Sequence, residues 1–117
     1  MIPVQYRDHL FIYLPLVRKV LEKDMGKFKK VGLKFERTYL NYLEKVTNKV
    51  GIDIGKVKRN MYKKGLTIYD QGRDEKGCCK YLFVCREYRQ NVTLFPHLMK
   101  NKVAEYLAQY LSGIQTL

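Results

Sequence analysis

The segment "LEKVTNKVGIDIGKVKRNMYKKGL", residues 43–66, is compatible with two architectures. Apolar residues recur in it at helical spacing, which predicts a helix. Gly51 and Gly55 interrupt the pattern, and each glycine costs about 1 kcal/mol inside a helix. Asp53 lies between them and is a suitable residue to cap a new helix. The segment therefore belongs either to one long helix or to a helix-turn-helix whose turn is at Gly51–Gly55.

Two stripes run along residues 34–64 when the chain is projected at about 100° per residue. The apolar stripe consists of Phe35, Tyr39, Leu43, Val46, Val50, Val57 and Met61. The basic stripe consists of Lys34, Lys45, Lys49, Lys56, Arg59 and Lys63. A solvated helix face usually mixes charge signs, but between Lys49 and Lys64 only Asp53 is acidic. This imbalance favours contact with phosphates over a plain solvated face.

The residues before this segment predict an N-terminal helical region. Four leucine and valine residues between 10 and 21 recur at helical spacing and indicate a helix over Asp8–Met25. Pro15 either kinks that helix or lies in the first turn of a second one. Gly26 is expected to end it. The following "KFKKVG", residues 27–32, is then a basic connector.

The residues after the segment predict a hairpin. Gly65 is a suitable stop for the preceding helix. Leu66–Asp70 is expected to be one strand and residues 78–88 a longer one, with "QGRDEKG" as the loop between them. On the second strand one face is predicted to carry Cys79, Tyr81, Phe83 and Cys85.

A last helix is expected to begin near Thr93, with Pro96 in its first turn, and to end at Gly113. Its predicted buried stripe is Phe95, Met99, Val103, Tyr106, Leu107 and Tyr110. The fold class is therefore α+β and mainly helical, with one β-hairpin between an N-terminal helical region and a C-terminal helix. The length, 117 residues, fits a single domain over 1–117.

The formal charge is +12, and it is concentrated. Residues 27–65 contain 12 basic and 3 acidic residues, whereas residues 66–117 contain 7 and 5. Such a field points to polyanions, acidic membranes or an acidic protein partner. No apolar run approaches the ~20 residues of a membrane helix, and the N-terminus does not resemble a secretory signal. A cytoplasmic protein with no membrane partner is expected.

Residues 43–88 resemble a winged helix-turn-helix domain. In that resemblance, residues 43–66 supply a supporting helix, a turn at Gly51-Ile52-Asp53 and a recognition helix, and "TIYDQGRDEKGCCKYLFVCRE" supplies the wing. The resemblance implies that the second helix enters the major groove and that the wing touches the DNA backbone. The chain is also similar, through "YLPLVRKVLEKDM" and "KFERTYLNYLEKV", to small unassigned basic proteins of Bacillus-type phages, plasmids and chromosomes.

Catalytic and metal chemistry find little support in the chain. The three cysteines lack the paired spacing of a zinc knuckle, and Cys79 and Cys85 are better explained as buried apolar residues, with Cys78 exposed. His9 and His97 lie in no nucleophile or metal motif. Acidic residues near the hairpin loop are more typical of turn formers than of a nuclease site. No enzyme activity and no cofactor are expected.

The sequence thus predicts a small nucleic-acid-binding protein, a DNA-binding regulator or accessory factor of a bacterial mobile element. DNA is favoured over RNA as the ligand. The apolar stripes could bury a dimer interface as readily as a monomer core, so a homodimer is an alternative to a monomer. The alternative is an interaction module or inhibitor whose basic face docks on an acidic protein partner. The predicted nucleic-acid-binding residues are Lys45, Lys49, Lys56, Lys58, Arg59, Asn60, Lys63, Arg73 and Lys76. Exposed tyrosines that could stack on bases are expected at Tyr62, Tyr69 and Tyr88.

Overall fold

The computed structural model describes residues 6–113 and contains three α-helices and one antiparallel sheet. After a short 3₁₀ turn at Tyr6–His9, the elements are α1 (Leu10–Val31), α2 (Glu36–Lys63), β1 (Leu66–Arg73), β2 (Cys79–Cys85), β3 (Tyr88–Leu94) and α3 (Pro96–Leu111). The three strands form a meander in the order β1-β2-β3. The predicted α+β, mainly helical layout, with strands between helices, is confirmed.

One continuous helix, α2, takes up the segment that was compatible with two architectures. Gly51 and Gly55 lie in its interior, so the turn expected from the helix-turn-helix resemblance is replaced by helix. Apolar packing explains why the glycines do not break α2, because Val46, Val50 and Val57 are buried on both sides of them. Burying three such side chains contributes several times the ~1 kcal/mol that each glycine costs.

The predicted end of α1 at Gly26 is wrong. The helix continues through "KFKKV" and ends at Gly32, whose φ of 71° gives the left-handed conformation that suits a C-terminal stop. Residues 27–31 are therefore helical rather than a connector. Pro15 lies inside the same helix.

The sheet has a third strand that the sequence pattern did not predict. β2 ends at Cys85, and a two-residue turn at Arg86-Glu87 leads into β3, where residues 88–94 pair with β2 from Cys85↔Tyr88 to Cys79↔Leu94. The turn places Arg86 at φ 59°, a conformation usually occupied by glycine or asparagine. Because neither residue is present there, the sequence carried no turn signal.

The core lies between α1, the sheet and the apolar faces of α2 and α3. Its fully buried side chains include Leu14 and Val17 of α1, Val50 of α2 and Phe83 of β2. Three aromatic residues that were expected to be buried, Phe35, Tyr39 and Phe95, are exposed. Cys78, which was expected to be exposed, is buried. The first two exposed aromatics precede the part of α2 that packs on the core, and Phe95 is the N-terminal cap of α3.

Candidate nucleic-acid interface

The exposed face of α2 carries five of the predicted cationic residues. At about 100° per residue they fall within a sector about 80° wide, and Lys45 and Lys63 are about 27 Å apart along the helix axis. These residues are Lys45, Lys49, Lys56, Arg59 and Lys63, and they are called the α2 basic face below. The buried residues of α2, from Val46 to Met61, point away from it. The face therefore presents a row of positive charge to solvent.

Acidic residues of α2 do not interrupt this row. Glu44 projects about 100° away from Lys45. Asp53 is fully buried. Ile52 lies in the middle of the face, is 56% exposed, and was not among the predicted residues. A pattern of charges does not identify an apolar residue, so Ile52 was missed. The same helical projection would have shown that it lies among the lysines.

The carboxylate of Asp53 is buried beneath the α2 basic face and contacts lysines of that face. Its Oδ1 accepts a hydrogen bond from Lys49 Nζ at 2.8 Å and lies 4.0 Å from Lys56 Nζ. Its Oδ2 accepts a hydrogen bond from the hydroxyl of Tyr110 in α3 at 2.6 Å. The helix-turn-helix alternative, in which Asp53 would cap a new helix, is wrong, since α2 is continuous and the carboxylate instead ties α2 to α3.

Arg59 shares its side of α2 with Gly55. The guanidinium Nη1 of Arg59 would be 3.6 Å from a Cβ atom built on Gly55, which is ordinary van der Waals contact. The side chain of Arg59 thus extends toward the N-terminus of α2, and its guanidinium group lies over Gly55, one helical turn earlier. From there the guanidinium can contact a phosphate in a bidentate manner.

Lys58 and Asn60 occupy different positions from the rest of the predicted set. Lys58 is exposed but projects about 140° from the line through Lys45 and Lys63. It therefore does not share the α2 basic face. Asn60 is exposed at the edge of the face, about 60° from the same line.

The carboxylate of Asp74 stabilises the conformation of the hairpin loop through hydrogen bonds to its backbone. Asp74 Oδ1 accepts hydrogen bonds from the backbone N–H groups of Lys76 and Cys78, both at 2.9 Å. Asp70 does the same for Gly72 at 2.8 Å. These carboxylates are turn formers, as the sequence indicated, and the side chains of Arg73 and Lys76 are exposed.

Arg73 belongs to a second group of cations that the sequence did not predict. It lines a groove of about 970 Å³ together with Lys19 and Lys23 of α1 and Lys100 of α3. Tyr81 of β2 and two acidic residues, Glu22 and Asp70, also line the groove, so its charge is mixed. The residues lining this groove come from α1, the sheet and the start of α3, so Arg73 is separate from the α2 basic face. The i, i+4 spacing of Lys19 and Lys23 was the available sequence signal.

Burial alters two titratable groups outside the α2 basic face. Desolvation lowers the pKa of His9, and the charge of Asp8 partly opposes this. The imidazole packs against Phe83, with ring centroids 5.3 Å apart. Desolvation likewise raises the pKa of Tyr81, and the nearby Cys79 and Asp70 add to the effect. Burial thus favours the neutral imidazole of His9 and the neutral phenol of Tyr81, as expected for side chains that pack against the rest of the protein.

The exposed aromatic residues fit the expectation for three tyrosines. Tyr62 is 87% exposed at the end of α2, and Tyr69 and Tyr88 are exposed on the sheet. All three rings are accessible to bases or to another surface. Within residues 6–113, no three His, Cys, Asp or Glu side chains converge as metal ligands would. Within the same residues, no helix has both the length and the apolar character required to cross a membrane.

Chemically, this arrangement can bind a polyanion by charge and hydrogen bonding. No curated protein and no solved structure matched the chain. One family model did match, described as YhjD protein, and the match runs over residues 9–115. This range includes the whole of α1, α2, the sheet and α3. Because the match covers most of its length, the chain belongs to the YhjD protein family.

Proposed function

We propose that this protein binds nucleic acid, duplex DNA in preference to RNA, through the α2 basic face. The observation that carries the proposal is the row of five cationic side chains within one sector of a continuous helix. No exposed acidic side chain of that helix lies in the sector, and Asp53, which pairs with Lys49, is buried beneath it. Each lysine or arginine that neutralises a phosphate releases a counterion and so contributes affinity that is independent of sequence.

The shape of α2 supports duplex DNA as the ligand. The row from Lys45 to Lys63 extends about 27 Å along the helix axis, about the rise of eight base pairs. A helix also fits the width of the major groove, about 12 Å. The deep, narrow groove of duplex RNA does not admit one. Arg59, in the C-terminal part of the row, and Asn60, at the edge of the face, are the side chains suited to contact guanine and adenine.

The proposed role is that of a cytoplasmic DNA-binding regulator or accessory factor of a bacterial mobile element. Its electrostatic binding would be broad, with any sequence preference arising from the few side chains that reach base edges. Neither the role nor the compartment affects the test of binding itself.

Fluorescence anisotropy of a labelled mixed-sequence duplex over a salt series tests the proposal. Four to five phosphate contacts predict a log–log slope between about −3.5 and −4.5. The double variant Lys56→Ala/Arg59→Ala is expected to weaken binding and to bring the slope closer to zero by about two units, because two contacts are lost.

The matched control is Lys58→Ala/Lys80→Ala. It removes the same net charge from exposed positions off the face, Lys58 on the far flank of α2 and Lys80 in β2. The control is expected to reduce the slope much less than the test variant. Equal losses in the two variants would show that only net charge matters and would reject the face as the binding site. Failure of the unaltered protein to bind at low salt would reject nucleic-acid binding.

A second candidate function is docking on an acidic protein, and the exposed Ile52 favours it. An exposed apolar residue in the middle of a row of charge is suited to a protein interface, whereas phosphates gain nothing from it. Ile52→Ser separates the two functions. If it leaves DNA affinity unchanged, the face binds DNA by charge. If the protein fails to bind DNA and retains an acidic partner after nuclease treatment, and Ile52→Ser releases that partner, the second function holds.

A further inference from the structure

The α1–α2 hairpin extends beyond the core of the protein. The last buried residue of α1 is Leu21 and the first of α2 is Leu40. Ten further residues of α1, about 15 Å of helix, therefore continue past its last buried residue. Residues 22–39 are called the arm below. Packing of the core does not explain the side chains at its end.

The end of the arm, residues 27–35, combines exposed apolar groups with lysines. Val31 is 65% exposed, Leu33 37% and Phe35 61%. The cations are Lys27, Lys29, Lys30 and Lys34, and residues 27–35 contain no acidic side chain. This segment is called the arm tip.

Two internal contacts order the arm tip. The ring of Phe28 stacks with that of Tyr39 across the two helices, with centroids 6.1 Å apart. The ammonium of Lys34 lies 5.6 Å from the centre of the Phe35 ring. Gly32 makes the sharp turn between the helices in a left-handed conformation. The apolar and cationic groups are therefore held together on a defined turn.

We propose that the arm tip docks on the surface of an anionic lipid bilayer. Val31, Leu33 and Phe35 would enter the boundary between headgroups and acyl chains, and the lysines would face lipid phosphates. Apolar burial plus attraction to anionic headgroups is the combination that holds interfacial segments on membranes. Lysine stems also lie well against apolar surface while their ammonium groups stay in water.

The chemistry of the arm tip favours this partner over two others. A second copy of the chain would bring four lysines against four lysines, which repel each other. A nucleic acid would use the lysines and Phe35, but Val31 and Leu33 have no aromatic face on which bases can stack. An anionic bilayer would engage both the exposed apolar side chains and the lysines of the arm tip. The sequence-based expectation of no membrane partner rested on the length needed to cross a bilayer, and surface docking has no such requirement.

Tryptophan fluorescence gives a direct test, because the chain contains no tryptophan. Phe35→Trp places the only indole at the arm tip. Phe95→Trp is the matched control, since Phe95 is also exposed, at 53%, but lies at the start of α3. With vesicles of phosphatidylglycerol and phosphatidylcholine, a blue shift and quenching by brominated lipid are expected for Phe35→Trp. The control is expected to show neither.

Vesicle co-sedimentation then separates the apolar from the electrostatic contribution. Leu33→Ser/Phe35→Ser is expected to weaken partitioning by about tenfold or more, because two buried apolar groups are lost. Phe95→Ser/Leu98→Ser, at two positions that are each 53% exposed, is expected to leave it unchanged. Lys29→Gln/Lys30→Gln is expected to weaken binding to anionic vesicles and to reduce, without removing, the preference over pure phosphatidylcholine, because Lys27 and Lys34 remain.

Three results would overturn the proposal. The first is no binding to anionic vesicles at low salt, and the second is an equal loss in the arm-tip and Phe95/Leu98 serine variants. The third is that Leu33→Ser/Phe35→Ser lowers DNA affinity or changes the oligomeric state and leaves lipid binding unchanged, which would assign the arm tip to nucleic acid or to a second copy. The α2 basic face is untouched in these variants, so DNA binding can fail or succeed independently.

Discussion

At the level of single residues, Asp53 connects stability to the candidate interface. A fully buried carboxylate is costly unless it is paired and hydrogen-bonded. Asp53 has Lys49 on one oxygen at 2.8 Å and the Tyr110 hydroxyl on the other at 2.6 Å. The same residue thus holds α3 against α2 and fixes one lysine of the α2 basic face. Lys49 is consequently the member of that face with the least freedom to reach a phosphate.

Tyr110→Phe is predicted to lower the free energy of unfolding by about 1.5–3 kcal/mol. It removes a hydrogen bond to a charged, buried group and leaves one carboxylate oxygen of Asp53 without that donor. Chemical denaturation with urea measures the loss. Tyr62→Phe is the control, because its hydroxyl lies on a side chain that is 87% exposed, and no change is expected. Equal stability of Tyr110→Phe and the unaltered protein would mean that the carboxylate is satisfied in another way.

Among the elements, those with strong periodicity could be predicted and those that depend on tertiary context could not. The apolar pattern predicted helix over most of α1 and α3, and it left the α2 segment as either one long helix or a helix-turn-helix. Gly65, with φ 70°, was correctly expected to follow the end of α2. Gly26 was expected to end α1, yet of Gly26 and Gly32 it is Gly32 that adopts the left-handed conformation. Local sequence cannot distinguish the two glycines, because the outcome depends on how α1 pairs with α2.

For the candidate site, charge patterning identified the α2 basic face but not what surrounds it. The helical projection grouped Lys45, Lys56 and Lys63 correctly. It could not show that Asp53 faces inward toward Tyr110, which is 57 residues away in the chain. Nor could it place Arg73 beside cations of α1 and α3, since that grouping arises from packing of the sheet. Long-range contacts of this kind leave no local pattern.

The continuity of α2 makes a prediction about its glycines. Gly51→Ala is expected to raise the free energy of unfolding by about 0.5–1 kcal/mol, because alanine favours the helix and loses less backbone entropy. A Cβ atom on Gly51 would meet no other atom within 4 Å. Thermal unfolding followed by circular dichroism measures the change.

Gly65→Ala is the matched control for this prediction. Gly65 has φ 70°, where a Cβ atom is strained, so this substitution is expected to destabilise the protein by about 1–2 kcal/mol. Opposite signs for the two glycines would support one continuous helix that ends just before Gly65. If Gly51→Ala instead lowers stability, α2 bends or turns at that position.

Across the whole molecule, the dominant feature is a net charge of +12 on 117 residues. Self-repulsion of this size destabilises the compact state, and dissolved salt screens it. Among residues 6–113, the two closest ion pairs, Lys64–Asp8 at 2.7 Å and Lys49–Asp53 at 2.8 Å, involve buried carboxylates. Buried pairs are screened much less than exposed charges. Salt should therefore relieve the repulsion while leaving these pairs largely intact.

Raising NaCl from about 20 to about 200 mM is accordingly predicted to increase the midpoint of thermal unfolding. The Debye length falls from roughly 20 Å to less than 10 Å over this range, which shields the lysines of the arm and of the α2 basic face from one another. A gain of about 1 kcal/mol corresponds to about 3–5 °C for a domain of this size.

The same salt would weaken a complex with DNA, so the midpoint of the free protein and the affinity of the complex should respond to salt with opposite signs. Lys27→Gln/Lys29→Gln/Lys30→Gln removes three charges from the arm and should reduce the dependence. A midpoint that falls with salt would show that attractive surface pairs outweigh the repulsion.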